Sequence, residues 1–192
     1  MKSFRDIKES LLYFNKDFKD MNAIERACVE LRIGRISSLA VLYEAVFSDT
    51  KSDSSLAAHE ITKYMKSLNY KQIINLNDSF RISSYWNCKI DWRNVDLDEL
   101  LHIVGLYSYL WMLRLGTFHS NGYFRQRCIE KLADVDKTND YLCYVVLRLN
   151  DWVLEVRSAA FKACQKINDL SIDKTIDKSR NGNHEYALGQ LC

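Results

Sequence analysis

An all-α fold is predicted from three observations on the 192-residue chain. It has no proline, where ordinary usage of about 5% would give about ten. Proline breaks helix interiors and is enriched in turns, so its absence leans the chain towards packed helices. Only six glycines are present, too few for the tight turns of a many-stranded sandwich or barrel. The third observation is an internal repeat in the C-terminal third, carrying helical stripes within each unit. Hydrophobic residues make up 47% of the chain and aromatic ones 12%. A single folded domain over 1–192 therefore has ample core, and disorder across most of the chain is excluded.

At the N-terminus, residues 3–19 and 22–33 read as two amphipathic helices, the first with Phe4, Ile7, Leu11, Phe14 and Phe18 on one stripe. Residues 1–35 are therefore expected to form a cap. Over 36–68, Ile36 to Phe47 reads as an apolar helix, Asp49 to Ser55 as a polar turn, and Leu56 to Leu68 as a second amphipathic helix. Residues 70–96 break the pattern. Ile73, Ile74, Leu76, Phe80, Ile82, Tyr85, Trp86 and Trp92 mix with polar residues at irregular spacing. This segment is expected as an insertion, of a length often tied to function.

The clear units lie in 97–167. Setting Tyr109–Leu132 against Tyr141–Cys164 without gaps pairs Leu110 with Leu142, Leu113 with Val145, Arg114 with Val146, Phe124 with Val156, Arg125 with Arg157, Cys128 with Ala160 and Leu132 with Cys164. In the second unit, Leu142, Val145, Val146 and Leu149 form one stripe, and Val153, Val156, Ala160, Ala163 and Ile167 another. Asn150 and Asp151 lie between them, where such side chains cap helices, and Ser120, Asn121 and Gly122 mark the equivalent turn. Ala159, Ala160 and Ala163 make a smooth face for close helix approach. Residues 168–192 are polar and are expected as a tail or a truncated unit.

The segment NDWVLEVRSAAFKA at Asn150–Ala163 resembles HEAT repeats, the helical-hairpin units of α-solenoids, including the bacterial group that contains phycobilin lyase subunits. The resemblance rests on Asp151 at the inter-helix turn, Val156 and Arg157 five and six residues on, and Ala160 in the second helix. It implies a right-handed α-α superhelix, and a ladder in which Arg157 or Arg125 reaches a turn Asp of its own or the next unit. The preceding unit keeps Arg125 but has His119 in the Asp slot, so that rung is expected to be altered.

Charge and cysteine usage narrow the function. Twenty-seven Lys and Arg face 25 Asp and Glu, a formal charge of +2 with a pI near 8.1. Nucleic acid is therefore permitted rather than indicated. The longest apolar stretch, Leu100 to Leu113, falls short of the roughly 20 apolar positions a membrane span needs, so it is expected as a buried helix. In MKSFRDIKES, Arg5, Asp6, Lys8 and Glu9 stand where a secretory signal needs an uninterrupted apolar core, so a cytoplasmic location is the expectation. Six cysteines at 28, 88, 128, 143, 164 and 192 form no CxxC pair. Cys128, Cys143 and Cys164 fall at apolar helical positions, and terminal Cys192 is the one expected to be readily modified.

Motifs for chemistry are scarce. His59-Glu60 begins an HExxH helix, but Lys63 stands where the second histidine belongs, so no metal site is expected. There is no glycine-rich phosphate loop and no GxSxG elbow, and no catalytic residue or cofactor is assigned. Arg114, Arg148, Trp111, Trp152 and Arg127 are candidate binding residues. The expected function is a scaffold or adaptor for a protein partner, because stacked hairpins present an extended surface without any reactive group. One alternative is a nucleic-acid-binding module similar to the alkylpurine DNA glycosylases, for which Trp111, Asp151 and Trp152 supply the residue types. Another is a lyase or chaperone subunit for a tetrapyrrole protein, implied only by the family resemblance.

Overall fold

The computed structural model describes residues 20–48, 50–86, 89–136, 138 and 140–167. Among them every regular element is helical: α1 (Ala23–Arg32), α2 (Ser38–Ala45), α3 (Lys51–Lys66), α4 (Tyr70–Trp86), α5 (Leu97–Gly116), α6 (Gly122–Val135), α7 (Leu142–Val146) and α8 (154–167). The N-terminal stripe at 3–19, Asp49, Cys88, Cys192 and the segment 168–192 lie outside the described residues.

Without proline, polar side chains start these helices. Asn22 accepts from the N–H groups of Ile24 and Glu25, both at 2.9 Å, while Glu25 reaches back to the Asn22 N–H. Asn69 and Gln72 make the same reciprocal pair at the head of α4. Asp96 caps α5 and Asn121 caps α6. Each such cap contributes about 1 kcal/mol by satisfying N–H groups the helix leaves free.

The helices pack as α1 on α2 and α3, α2 on α3 and α4, and α5 on α3 and α6. At the centre is Tyr43 of α2. Its ring meets Phe47, Phe80 and Phe124 edge-on and stacks on Trp92, and its hydroxyl donates to the Met112 carbonyl at 2.8 Å. Trp92 comes from the connection between α4 and α5 and is buried against the rings of His119, Phe47 and Phe124. This is how one loop residue joins the upstream helices to the C-terminal ones. Gly116 lets α5 approach: a Cβ there would lie 2.5 Å from Cys128 Sγ and 2.7 Å from the Tyr43 hydroxyl.

Several expectations need correction. Within 70–96, residues 70–86 are not irregular. Tyr70–Trp86 is a 17-residue helix whose buried stripe is Ile73, Leu76, Phe80, Ser83 and Ser84. The stripe is narrow and ends on two serines, whose hydroxyls turn back to carbonyls of their own helix, so its apolar period is weak. Residues 51–55 are helical rather than a turn. Lys51 and Ser52 face solvent on the first turn of α3, while buried Ser54 donates to carbonyls of Ala45 and Ser48. The 100–113 stretch is not one buried helix: Gly105, at φ 72° and ψ 158°, kinks α5, leaving His102, Leu106 and Tyr107 exposed. Across α7 and the residues that flank it, Tyr141, Tyr144, Val145 and Arg148 are buried, while Leu142, Val146 and Leu149 are exposed. Helical spacing allows both stripes; the aromatic one carries the larger buried area. No helix among the described residues is long and apolar enough to cross a membrane.

Candidate binding site

The two turns that the internal repeat sets in register have matching hydrogen bonds. At the second, Asp151 Oδ1 accepts from the Val153 N–H at 3.1 Å, and the Asp151 carbonyl accepts from Arg157 Nη1 at 2.6 Å. At the first, His119 Nδ1 accepts from the Asn121 N–H at 3.0 Å, and the His119 carbonyl accepts from Arg125 Nη1 at 2.8 Å. Histidine thus does with a ring nitrogen what aspartate does with a carboxylate. Burial follows the same register: Tyr109 and Tyr141, Leu113 and Val145, Phe124 and Val156, and Cys128 and Ala160 are all buried. It fails at Ile129, which is buried, against exposed Phe161, and at Arg114, which is buried, against exposed Val146.

What aspartate supplies and histidine does not is negative charge. Three guanidinium groups converge on the Asp151 carboxylate: Arg125 Nη2 on Oδ1 at 2.8 Å, and Arg81 Nη2 and Arg148 Nη1 on Oδ2 at 3.1 and 3.2 Å. The carboxylate and the Arg125 side chain are fully buried, Arg148 nearly so, and Arg81 keeps 26% of its side-chain surface. Arg148 also donates to Asn77 Oδ1, and Arg125 to the Ser120 carbonyl. The Nε of Arg81, Arg125 and Arg148 is buried without a hydrogen bond. Among the described residues no second carboxylate pairs with any of the three, so three cations share one anion.

The titration behaviour reflects that imbalance. Burial lowers Arg125 below its ordinary value against the pull of Asp151. Arg148 is pushed down to about 10 by burial and by the charge of Arg81, with Asp151 opposing and Arg125 adding to the shift. At Asp151 burial works against ionisation. The bonds from Arg125 and Val153 outweigh it, and the carboxyl sits below the ordinary aspartate value. His119 falls to about 3 through burial and, secondarily, the charge of Arg125. Its ring is therefore neutral near pH 7.

Beside this cluster are two depressions. One, of about 420 Å³, is lined by Asn77, Arg81, Arg148, Asn150, Asp151 and Trp152 along with Val146 and Leu147. The other, of about 290 Å³, is lined by Arg81, Ile82, Tyr85, Trp86, Ser120 and Trp152. Arg81 and Trp152 belong to both. Tyr85, Trp86 and Trp152 are 65%, 78% and 74% exposed, so three large aromatic side chains stand in water around one half-buried arginine. The Arg125 guanidinium lies 6.0 Å from the Trp152 ring centroid.

Of the candidate binding residues, Arg148 and Trp152 therefore meet at this site with Asp151 and Arg125. Arg157 reaches it through the Asp151 carbonyl, and His119 through its own carbonyl on Arg125. Arg114 and Trp111 do not. Arg114 is buried, pairs with Asp136 at 2.7 Å and lies 4.4 Å from the Trp111 ring centroid, which makes it an internal tie between α5 and the end of α6. Arg127 donates to the carbonyls of Arg93 and Val95 and holds the connection before α5 in place. The residues that sequence reasoning missed are Asn77, Arg81, Tyr85 and Trp86, all on α4. The helical spacing of Asn77, Arg81 and Tyr85 was the available signal.

Glu60, next to His59, accepts two bonds from Arg32, and among the described residues no group of three or more His, Cys, Asp or Glu is placed to hold a metal. A further depression, about 810 Å³ between the α2–α3 turn and the start of α5, carries Asp91, Asp96 and Glu99 with Lys51 and His102 on its wall. Neither a protein-family model, nor a curated protein, nor a solved structure matches this chain.

Proposed function

We propose that this chain is a non-catalytic helical-repeat binding module of the HEAT-like, right-handed superhelical type, and that it docks a protein partner on the face formed by α4 and the α7–α8 turn. One observation carries the reading: Ile82, Tyr85, Trp86 and Trp152 are exposed side by side around Arg81. Trp, Tyr and Arg supply most of the binding free energy at protein interfaces, and an apolar patch of this kind has a cost in water that a partner removes. The matched turns at His119 and Asp151 support the repeat reading. The same geometry weighs against Asp151 as a reactive base, since Arg81, Arg125, Arg148 and the Val153 N–H already engage its carboxylate.

A nucleic-acid-binding reading is favoured by one feature, the surplus of guanidinium groups beside exposed rings on which bases could stack. The two readings separate with the double variant Trp86→Ala/Trp152→Ala. Both side chains are exposed, so unfolding stability should stay within about 0.5 kcal/mol of the parent. A protein captured by the parent, then identified and purified, should bind the double variant about tenfold or more weakly, as expected for losing two anchor residues. Equal affinity for parent and variant would overturn the docking face. Recovery of nucleic acid alone, with affinity falling steeply in salt, would overturn the protein partner.

A further inference from the structure

The aromatic face accounts for apolar contact but not for the charge beneath it. Arg81, Arg125 and Arg148 face one carboxylate, an excess of two positive charges in a half-buried setting, and Arg157 on the Asp151 carbonyl adds to it. Asp78 does not relieve this, because it is exposed and accepts from the Asn77 amide instead. Among the described residues Arg81 Nη1 makes no hydrogen bond, and Arg148, 3% exposed, lines the 420 Å³ depression together with the amides of Asn77 and Asn150. Buried cations in such surplus are costly unless an anion joins them.

We propose that this depression is a phosphoryl-binding subsite that takes a dianionic phosphate monoester borne by the docked protein. The charge is the first argument: a phosphate monoester carries close to two negative charges near pH 7, whereas a carboxylate carries one. The second is geometry. Arginine binds phosphate oxygens through paired N–H donors. Arg81 and Trp152 belong to both depressions, so an ester whose phosphoryl group sits beside Arg81 and Arg148 places its organic part against Trp152, Tyr85 and Trp86. The protein as source of the ester rests on the docking reading above; the phosphoryl subsite itself does not.

The test uses phenyl phosphate as the probe and benzenesulfonate, a monoanion with the same ring, as the control at matched ionic strength. The Trp152 indole N–H is followed by NMR. Phenyl phosphate should give a saturable shift with about tenfold or greater preference over benzenesulfonate. Arg81→Gln should weaken it by a similar factor, and Arg81→Lys, which keeps charge but loses the paired donors, should fall between. The absence of a saturable shift overturns the subsite, as does an equal response to benzenesulfonate or equal affinity in Arg81→Gln; thermal melting of each variant confirms that it is folded. A phosphotyrosine peptide binding more tightly than a 5′-phosphorylated oligonucleotide supports the protein source, and the reverse order overturns it. Phenyl phosphate binding by a chain whose protein partner ignores Trp86→Ala/Trp152→Ala leaves the subsite standing and the docking face refuted.

Discussion

Replacing Asp151 by Asn isolates what its charge contributes. Asn has nearly the same shape and keeps an oxygen where Oδ1 accepts from the Val153 N–H at 3.1 Å, so the turn remains capped. What disappears is the one anion shared by Arg125, which is fully buried, and Arg148, which is 3% exposed. Removing one partner of a buried pair costs about 3–5 kcal/mol, most of it the penalty of leaving the other charge unpaired. At about 2–4 °C per kcal/mol for a chain of this size, the melting temperature should fall by roughly 6–20 °C. Urea unfolding followed by circular dichroism reads the loss directly. Adding Arg148→Met to Asp151→Asn should recover part of it, since a stranded cation is then removed. The parent carries an acid signature as well. Because the folded-state pKa of Asp151 is lowered, its contribution is complete above the unfolded value near 3.8 and is lost as pH falls through the folded value. The variant should lack that step. A loss under about 1 kcal/mol, which an ordinary substitution produces, would refute the account of Asp151 as the anion holding three guanidiniums together.

Two further outcomes are expected. His119, at about 3 in the fold against 6.5 when free, stabilises the protein only while neutral, so stability should be full above about pH 6.5 and decline steadily as pH falls towards 3. His119→Asn, which keeps an acceptor for the Asn121 N–H, should flatten that decline in a urea series across pH; an unchanged slope would show that other groups govern it. Gly116→Ala should destabilise by about 1–3 kcal/mol, because its new carbon meets Cys128 Sγ and the Tyr43 hydroxyl far inside contact distance. A neutral result in the same urea assay would mean that α5 and α6 can separate freely there.

The helical class and the register of the repeat were legible because the buried positions of the two units are apolar at the same offsets, as at Leu113 and Val145 or Phe124 and Val156. Less legible was α4, where Ser83 and Ser84 occupy buried positions that pattern reading expects to be apolar. Arg148 was named as a candidate, but its burial just past α7 was hidden by Leu142, Val146 and Leu149, which suggest a different stripe. For Arg81 the one local cue was its helical spacing with Asn77 and Tyr85, which says nothing of a partner. Its partner Asp151 is 70 residues away in the chain, and only the packing of α4 beside the second turn brings them together. Local spacing finds elements and capping residues; a cluster assembled from three separate segments is a tertiary fact.

Trp92, placed by a loop at the aromatic centre, also gives the molecule a built-in optical gauge. Of the four tryptophans, Trp92 is shielded and its ring centroid lies 4.3 Å from that of His119, whereas Trp86 and Trp152 are open to water and Trp111 is half-covered. Emission from the shielded indole therefore tracks the joint between the upstream and downstream helices, and collisional quenchers reach chiefly the two on the α4 face. Loosening of the core and occupation of the surface would then be read as separate colours from one unlabelled chain.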